Sequence, residues 1–175
     1  MLADVRERHP DLRLVIIGGV ADEYVLEKAG NKNYIKDLHE LSARLGISDL
    51  VRWSGYTAPE SDTASTLLSA ADICVLPFDE GVSLNNSSFS FCAAHRLPII
   101  TTASETVESA FVDGENVILC APKSASALAN SLELLLANPH LQESLKSGTV
   151  QMVQEWFNWT SAIDRTMQVF AGTER

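Results

Sequence analysis

The segment "LPFDEGVSLNNSSFSFCAAHRLPIITT", residues Leu76–Thr102, joins two apolar runs through an acidic turn with a glycine and the polar residues "NNSS". The apolar runs, "DICVLPF" from Asp72 to Phe78 and "LPIITT" from Leu97 to Thr102, are continuous and do not alternate with polar residues. Strands that are buried on both faces of a parallel sheet have this composition. The segment therefore predicts a strand, a helix and a second strand, which is the repeating unit of an α/β fold.

The rest of the chain continues this alternation. Three further apolar runs predict strands, namely "LRLVIIGG" (Leu12–Gly19), "LVRWSG" (Leu50–Gly55) and "NVILC" (Asn116–Cys120). Helical patterns lie between and after them, in residues 33–46, 62–71, 87–95, from Ser124 or Ser126 up to Pro139, 141–146 and 153–170. We expect one Rossmann-like domain over residues 1–175, with a doubly wound parallel sheet and helices on both faces.

Composition excludes several classes of protein. The chain has 175 residues, is 46% hydrophobic and 21% charged, and carries a formal net charge of -10. This charge disfavours binding to nucleic acid or to an anionic membrane through this segment. No run of about 18 apolar residues and no signal peptide is visible. The three dispersed cysteines predict buried free thiols and a cytoplasmic location, and the four histidines have no metal-ligand spacing, so no metal is expected.

Ligands of doubly wound folds bind at the carboxyl ends of the strands. The residues at the predicted strand ends are Gly18 and Gly19, Gly55 and Tyr56, Pro77 to Glu80, and Thr101 with Thr102. The glycine pair lacks the GxGxxG spacing of a dinucleotide fingerprint, so it indicates either a phosphate turn or only a tight strand exit.

The polar turn has the chemistry of a phosphate site. A helix that starts near Ser87 or Ser88 leaves backbone N–H groups unpaired and carries partial positive charge. Gly81 would let a ligand approach the main chain, and the small polar residues would add donors. These residues are Ser83, Asn85, Ser87 and Ser88. The alternative is an ordinary loop with helix caps, in which Glu80 is an exposed carboxylate.

These motifs, in this order, resemble the C-terminal nucleotide-sugar-binding domain of GT-B fold glycosyltransferases of the retaining group-1 family (family 4). "LRLVIIGG" resembles the family's strand with a glycine loop, and "RLPIITT" resembles its "G-x-P-V-V-A-T" strand. The stretch "LGISDLVRWSGYTAPESDTASTLLSAADICVLPFDEG" resembles its strand, "G-[FY]" loop, helix, "AD" and "LP". "ESAFVDGENVILCAPKSASALANSLELLLANP" is similar to the segment with "DGENG" and its following helix.

The resemblance implies a transferase of the hexosyltransferase type whose donor is a UDP-, GDP- or ADP-sugar, with no cofactor and no metal. Glu80 and Gly81 match the start of the family's "E-G-F-G-L…E" motif, so Glu80 is the expected catalytic residue that contacts donor sugar hydroxyls. Val82, Ser83 and Leu84 match "F-G-L". The backbone from there through Asn85, Asn86, Ser87 and Ser88 is expected to contact the diphosphate. Tyr56 matches the loop that contacts the base, and Thr101 and Thr102 are second-line contacts.

The chain departs from the family pattern in several places. Ser88 stands where the second motif glutamate is expected, although Phe91 could occupy the equivalent helical place, and Arg96 replaces a glycine. The family's first strand, its diphosphate-neutralising Arg and Lys, and the acceptor-binding N-terminal domain have no counterpart. We therefore expect a fragment that is inactive alone, whose helix in residues 151–175 packs toward the missing domain. The parent enzyme could be peripheral at the inner membrane face.

Two other hypotheses remain at the level of sequence. The chain could be a non-catalytic module that binds a nucleotide or a partner, because the second motif glutamate is absent. A sugar-nucleotide epimerase of similar fold is less favoured, because no acid/base set of carboxylates is visible. The donor base and sugar, the acceptor, the pathway and the oligomeric state are not specified by the sequence. Trp156, Phe157 and Trp159 could cover an interdomain surface or complete the core.

Overall fold

A computed structural model describes residues 2–19, 34–58 and 61–172 of the chain. Within these residues the chain forms seven helices and five strands. It is divided into two compact units, Met1–Ala70 and Ala71–Arg175. The expectation of one domain over residues 1–175 stays a prediction, and residues 173–175 of the predicted C-terminal helix lie outside the described part.

The first unit contains a two-stranded parallel sheet and three helices. Its elements are α1 (Leu2–Val5), β1 (Leu14–Ile16), α2 (Tyr34–Arg44), β2 (Val51–Trp53) and α3 (Thr63–Ser69). β1 pairs with β2 in the register Leu14 to Val51. The core of this unit is built from apolar side chains that are at most 7% exposed, namely Leu2, Val5, Ile47, Leu50, Val51 and Leu68.

The second unit contains a three-stranded parallel sheet in the order β3-β4-β5 and four helices. Its elements are β3 (Cys74–Leu76), α4 (Ser87–Ala94), β4 (Ile99–Thr102), β5 (Ile118–Cys120), α5 (Ala125–Leu136), α6 (Pro139–Trp156) and α7 (Trp159–Gly172). β4 lies between the other two strands, and all four of its residues are buried. Parallel strands with flanking helices confirm the predicted α/β class.

The core of the second unit connects the sheet to α4 and to the end of α6. Phe89 of α4 is fully buried, and its ring packs edge-on against Phe111 at a centroid distance of 5.1 Å. The ring of Phe157 lies 6.1 Å from Phe89. Phe157 therefore contributes to the core. Trp156 is partly exposed, with the guanidinium of Arg165 5.2 Å from its ring centroid.

The boundaries predicted for the last two helices are wrong. The chain forms one helix from Pro139 to Trp156 and a second from Trp159 to Gly172, whereas helices in residues 141–146 and 153–170 were expected. The first begins earlier because Asn138 caps it, accepting a bond from the Leu141 amide at 3.2 Å, and proline suits the first helical position. It continues through Gly148, which packs against the segment before β5.

Candidate functional site

In the first unit, the predicted glycine loop and the loop after β2 lie against each other at the carboxyl ends of their strands. Gly18 and Gly55 form an isolated bridge, and the Gly18 amide donates to the Ser54 hydroxyl at 3.0 Å. A Cβ atom added to Gly19 would lie 2.7 Å from the amide nitrogen of Tyr56. Only glycine fits there without a shift, so this loop is shaped by an approach within the chain. Tyr56 is 53% exposed.

In the second unit, β3 leads into the predicted donor turn, whose backbone reverses at Gly81. This glycine has a φ of +86°, a conformation that residues with side chains rarely adopt. A Cβ atom there would overlap the backbone of Ser104 and lie 2.5 Å from the carbonyl carbon of Ala103. From the sequence, the space beside Gly81 was expected to receive a ligand. In the structure, the backbone of the segment after β4 fills that space.

Five amides of this turn are already bonded within the chain, and the first is that of Gly81, which donates to the Phe78 carbonyl at 3.4 Å. The Val82 amide donates to the Thr102 carbonyl at 2.8 Å, and the Ser83 amide donates to the Asn86 side-chain oxygen at 2.6 Å. The Leu84 amide donates to a carboxylate oxygen of Glu108 at 2.8 Å, and the Asn86 amide donates to the Ser83 carbonyl at 3.1 Å. In this structure these amides are therefore not open to a phosphate.

The open donors lie at the start of α4. Asn86 precedes this helix, but its side chain makes no capping bond because it accepts from Ser83. Among the described residues, the amides of Asn85, Ser87 and Ser88 have no hydrogen-bond partner. The side chains of the same three residues are exposed. The beginning of α4 therefore offers backbone donors and the positive end of a helix dipole to an anion.

Two charged side chains lie close together at the carboxyl edge of the three-stranded sheet. The Lys123 ammonium is 3.4 Å from a carboxylate oxygen of Glu80, with side-chain exposures of 64% and 92%. An ion pair this exposed contributes little to stability, so both groups remain available to a ligand. Lys123 is not among the site residues predicted from the sequence. The sequence feature that could have identified Lys123 is its position three residues after the end of β5.

Thr101 and Thr102 are interior residues. Both are at most 1% exposed, and their hydroxyls donate to the carbonyls of Leu76 at 2.9 Å and Phe78 at 2.5 Å. Their side chains therefore connect the ends of β3 and β4 and leave no free hydroxyl at the surface. In the second unit, Glu80 and the open amides thus both follow the carboxyl end of β3, whereas the threonine side chains are buried in the sheet.

Other groups in the second unit do not belong to this site. A groove of about 410 Å³ lies between α6 and the segment before β5, lined by Ser109, Ala110, Val112, Glu115, Asn116, Ser144, Ser147, Gly148, Gln151, Met152, Glu155 and Trp156. The three cysteines are free and buried. A hydrogen bond with Cys92, together with burial, raises the pKa of the Cys74 thiol, so Cys74 is neutral. The described residues contain no cluster of three His, Cys, Asp or Glu side chains able to hold a metal.

Parallel strands whose carboxyl ends lead into a helix start with open amides are typical of Rossmann-like nucleotide-binding proteins. The family can be stated more closely. The model of the family described as "Glycosyl transferases group 1" matches residues 1–152. The chain therefore belongs to the group 1 glycosyltransferase family, as its sequence motifs predicted.

Individual proteins of similar sequence are also glycosyltransferases. A D-inositol 3-phosphate glycosyltransferase of Streptomyces bingchenggensis (strain BCW-1) is 30% identical over 139 residues, which are 79% of this chain and 29% of that protein. The lipopolysaccharide core biosynthesis glycosyltransferase LpsE of Rhizobium meliloti (strain 1021) is 26% identical over 77% of this chain and 38% of the relative. The chain thus spans between about a quarter and two fifths of the length of these relatives.

Solved structures share the fold. HepE of Anabaena in complex with UDP superposes with a TM-score of 0.79 at 16% identity, covering 98% of this chain and 44% of that one. The C-terminal domain of a group 1 glycosyltransferase, LpcC of Francisella tularensis, superposes with a TM-score of 0.74 at 20% identity, covering 90% and 76%. The chain therefore has the fold of the C-terminal domain of a group 1 glycosyltransferase.

Proposed function

We propose that this chain binds a nucleoside diphosphate sugar and is the donor-binding part of an enzyme that transfers the sugar to an acceptor. The observation that carries the proposal is the set of open amides at Asn85, Ser87 and Ser88, at the carboxyl edge of a parallel sheet. Such amides and the helix dipole bind phosphate oxygens. Membership of the family supports sugar transfer as the reaction.

The site residues of the second unit have distinct proposed roles. The Asn85, Ser87 and Ser88 amides hold the diphosphate, and the Glu80 carboxylate accepts hydrogen bonds from donor sugar hydroxyls. Lys123 places a cation beside Glu80, where it would offset charge that develops on the departing diphosphate. Gly81, Val82, Ser83, Leu84 and Asn86 shape the turn, and the buried Thr101 and Thr102 connect the strands beneath it.

In the first unit, the backbone of Tyr56 is proposed to contact the nucleotide base. Gly18 and Gly19 would set the shape of that loop through their close packing on Gly55 and Tyr56. A side chain at Gly19 would push the Tyr56 amide away. Base recognition in this unit would therefore depend on backbone geometry more than on side-chain chemistry.

Retention of configuration, independence from metal and the absence of a cofactor are proposed from the resemblance to the group-1 family. UDP-sugars are the first donors to test, because HepE of Anabaena was solved with UDP and with UDP-glucose. The acceptor would be bound mainly by a separate N-terminal domain. The named relatives act on D-inositol 3-phosphate and in lipopolysaccharide core synthesis, which makes phosphorylated polyols and glycolipids reasonable acceptors to screen.

The phosphate role of α4 can be tested with a proline that removes one amide. Ser87 is the first residue of α4 and follows an extended residue, Asn86 with a ψ of 100°, so Ser87→Pro should preserve the helix. We expect Ser87→Pro to weaken UDP binding about tenfold in calorimetric titration. Ala125→Pro is the matched control, because it removes the equivalent amide of α5 after Ser124, with a ψ of 101°.

The outcomes of this titration separate the proposal from its alternatives. Equal weakening by both prolines would show that the loss is not specific to α4. If the wild-type chain binds none of UDP, GDP, ADP or their sugars at millimolar concentration, either alone or in a full-length protein, the proposed function fails.

The catalytic role of Glu80 requires a turnover measurement in a full-length protein that contains this chain. Glu80→Gln retains the size of the side chain but removes its charge, so turnover with a donor sugar should fall by about 100-fold or more. Asp79→Asn, at the adjacent exposed carboxylate, is the control and should retain most activity. A full-length protein that binds UDP and has no turnover would instead be the non-catalytic nucleotide-binding module.

The last helix is proposed to pack against another part of the full-length protein. On α7, Ile163, Met167 and Phe170 follow the i, i+4, i+7 spacing of one helix face and are 56%, 61% and 66% exposed. An apolar stripe of this kind usually contacts another surface. In a full-length protein, these side chains should be protected from hydroxyl-radical labelling relative to the isolated chain.

A cytoplasmic location is also proposed, because free buried thiols such as those of Cys74, Cys92 and Cys120 persist in a reducing compartment. In the described part of the chain, the helices are too short or too polar to cross a bilayer. Peripheral attachment of the full-length protein to the inner membrane face would then arise outside this segment.

A further inference from the structure

A carboxylate is built into the proposed phosphate turn. One oxygen of Glu108 accepts a hydrogen bond from the Leu84 amide at 2.8 Å, across 24 residues of sequence. Glu108 is partly buried, and none of the ion pairs within the described part of the chain involves it. The Glu108 carboxylate reaches the backbone of the turn from a distant segment, whereas the Asn86 side chain bonds to the Ser83 amide from within the turn. Such a bond to an ionised acceptor is stronger than a neutral one.

The position of Glu108 is determined by the core of the second unit. Its carbonyl accepts the Phe111 amide at 3.0 Å, and Phe111 is 4% exposed. The ring of Phe111 packs on Phe89, which belongs to α4 itself. Glu108 and the helix that offers the open amides are therefore connected through one pair of aromatic rings, so the carboxylate is held in a defined place relative to α4.

Glu108 completes a set of contacts by which Thr102, Ser104 and Glu108, in the segment after β4, hold the turn. Ser104 fills the space beside Gly81, the Thr102 carbonyl accepts the Val82 amide, and Glu108 accepts the Leu84 amide. Of the next four amides along the chain, those of Asn85, Ser87 and Ser88 are open, and that of Asn86 is bonded within the turn to the Ser83 carbonyl. Among the contacts made by the segment after β4, that of Glu108 is thus the nearest along the chain to the open donors.

We propose that Glu108 is a positioning residue for donor binding: by bonding the Leu84 amide, it holds the backbone so that the open amides of Asn85, Ser87 and Ser88 are preorganised for a diphosphate. This inference rests on the proposed function. Preorganised donors bind more tightly because the ordering of the backbone occurs before the ligand arrives. Since Glu108 is itself an anion, the inference requires that ordering of the turn outweighs repulsion between the carboxylate and the diphosphate.

The test compares two substitutions of Glu108 with one of Glu105, an exposed carboxylate on the same segment. Glu108→Ala removes the acceptor and should weaken UDP binding about tenfold, whereas Glu108→Gln retains an acceptor oxygen and should stay within about threefold of wild type. Glu105→Ala should bind as wild type. Without ligand, hydrogen exchange at the Leu84 amide should accelerate in Glu108→Ala and stay slow in the other two variants.

Each alternative outcome has a defined meaning. If wild type binds UDP and Glu108→Ala binds it equally well, the inference fails and the proposed function stands. If Glu108→Ala and Glu108→Gln both bind UDP several-fold more tightly than wild type, repulsion by the carboxylate outweighs ordering of the turn and the inference fails. If wild type binds none of the nucleotides tested, the proposed function fails and the inference with it.

Discussion

Gly81 shows how a single residue connects the turn after β3 to the segment after β4. Glycine is required there for two reasons. A φ of +86° is unfavourable for residues with a side chain, and the backbone of Ala103 and Ser104 leaves no room for a Cβ atom. Arg96 and Lys123 also have positive φ values, 59° and 56°, although both carry side chains. The family pattern has a glycine where Arg96 stands, and in this structure the backbone adopts a left-handed conformation with arginine. That conformation costs roughly 1–2 kcal/mol for an L-residue.

Gly81→Ala should be far more destabilising than an alanine at a glycine that has free space. At Gly81, the added methyl group overlaps backbone atoms and the left-handed conformation is also strained, so we expect a loss of about 3 kcal/mol or more. Gly114 has a φ of +76° and no atom within 4 Å of its Cβ position, so Gly114→Ala should lose only about 1 kcal/mol. Urea unfolding of both variants checks the difference, and equal losses would contradict the crowding at Gly81.

Ser124, rather than Ser126, caps α5. The sequence left both residues open, and the structure shows the Ser124 hydroxyl accepting the Ala127 amide at 3.2 Å. The Ser126 hydroxyl lies 3.1 Å from that of Ser124. A cap depends on which residue immediately precedes the helix, and this boundary is uncertain by several residues in a sequence pattern.

Ser124→Ala should therefore reduce the free energy of unfolding by about 1 kcal/mol, because the Ala127 amide loses its acceptor. Ser126→Ala should change it by less than about 0.5 kcal/mol, because alanine favours the helix interior. Thermal unfolding of the two variants gives the comparison. A larger loss for Ser126→Ala would mean that the helix begins later than the structure shows.

Replacement of Gly148 in α6 by alanine should lower the free energy of unfolding, whereas the same replacement at an ordinary helical glycine raises it. Replacement of an exposed helical glycine by alanine normally stabilises a helix by about 1 kcal/mol. At Gly148, a Cβ atom would overlap the Glu115 carbonyl oxygen and lie 2.9 Å from the Asn116 Cα. Gly148→Ala should instead destabilise by about 2 kcal/mol in urea unfolding. Ser147→Ala, at the adjacent exposed position, should stay within about 0.5 kcal/mol of wild type.

At the scale of the whole molecule, we expect the backbone amides of the two units to differ in their protection from hydrogen exchange. β4 is buried at all four positions and pairs on both sides, with β3 and with β5. β1 pairs with β2, and none of its three residues is fully buried. Hydrogen exchange followed by mass spectrometry should therefore show the slowest amides in Ile99–Thr102 and faster exchange in Leu14–Ile16. Equal protection of the two strands would contradict this ranking.

All five strands were predicted from sequence, each within two or three residues of its observed ends, because continuous apolar runs require burial on both faces. The start of α4 at Ser87 was predicted as well, from small polar residues between two such runs. The contacts that complete the turn were not predicted. Glu108 and Lys123 lie 24 and 43 residues from their partners, Leu84 and Glu80, and no local pattern encodes such pairs.

The amino-acid sequence alone determined the α/β class, the order of the strands and helices along the chain, the family, and the place of the polar turn. The family followed from the resemblance of the motifs and their order to a known family. The other properties follow from apolar periodicity, glycines and small polar residues, which act over a few neighbours in the chain. Only the tertiary structure decided which turn amides are open, which are bonded, and that Gly81 makes room for the chain's own backbone. Such properties depend on segments that meet in space, because an amide is open only if no distant carbonyl or carboxylate has reached it.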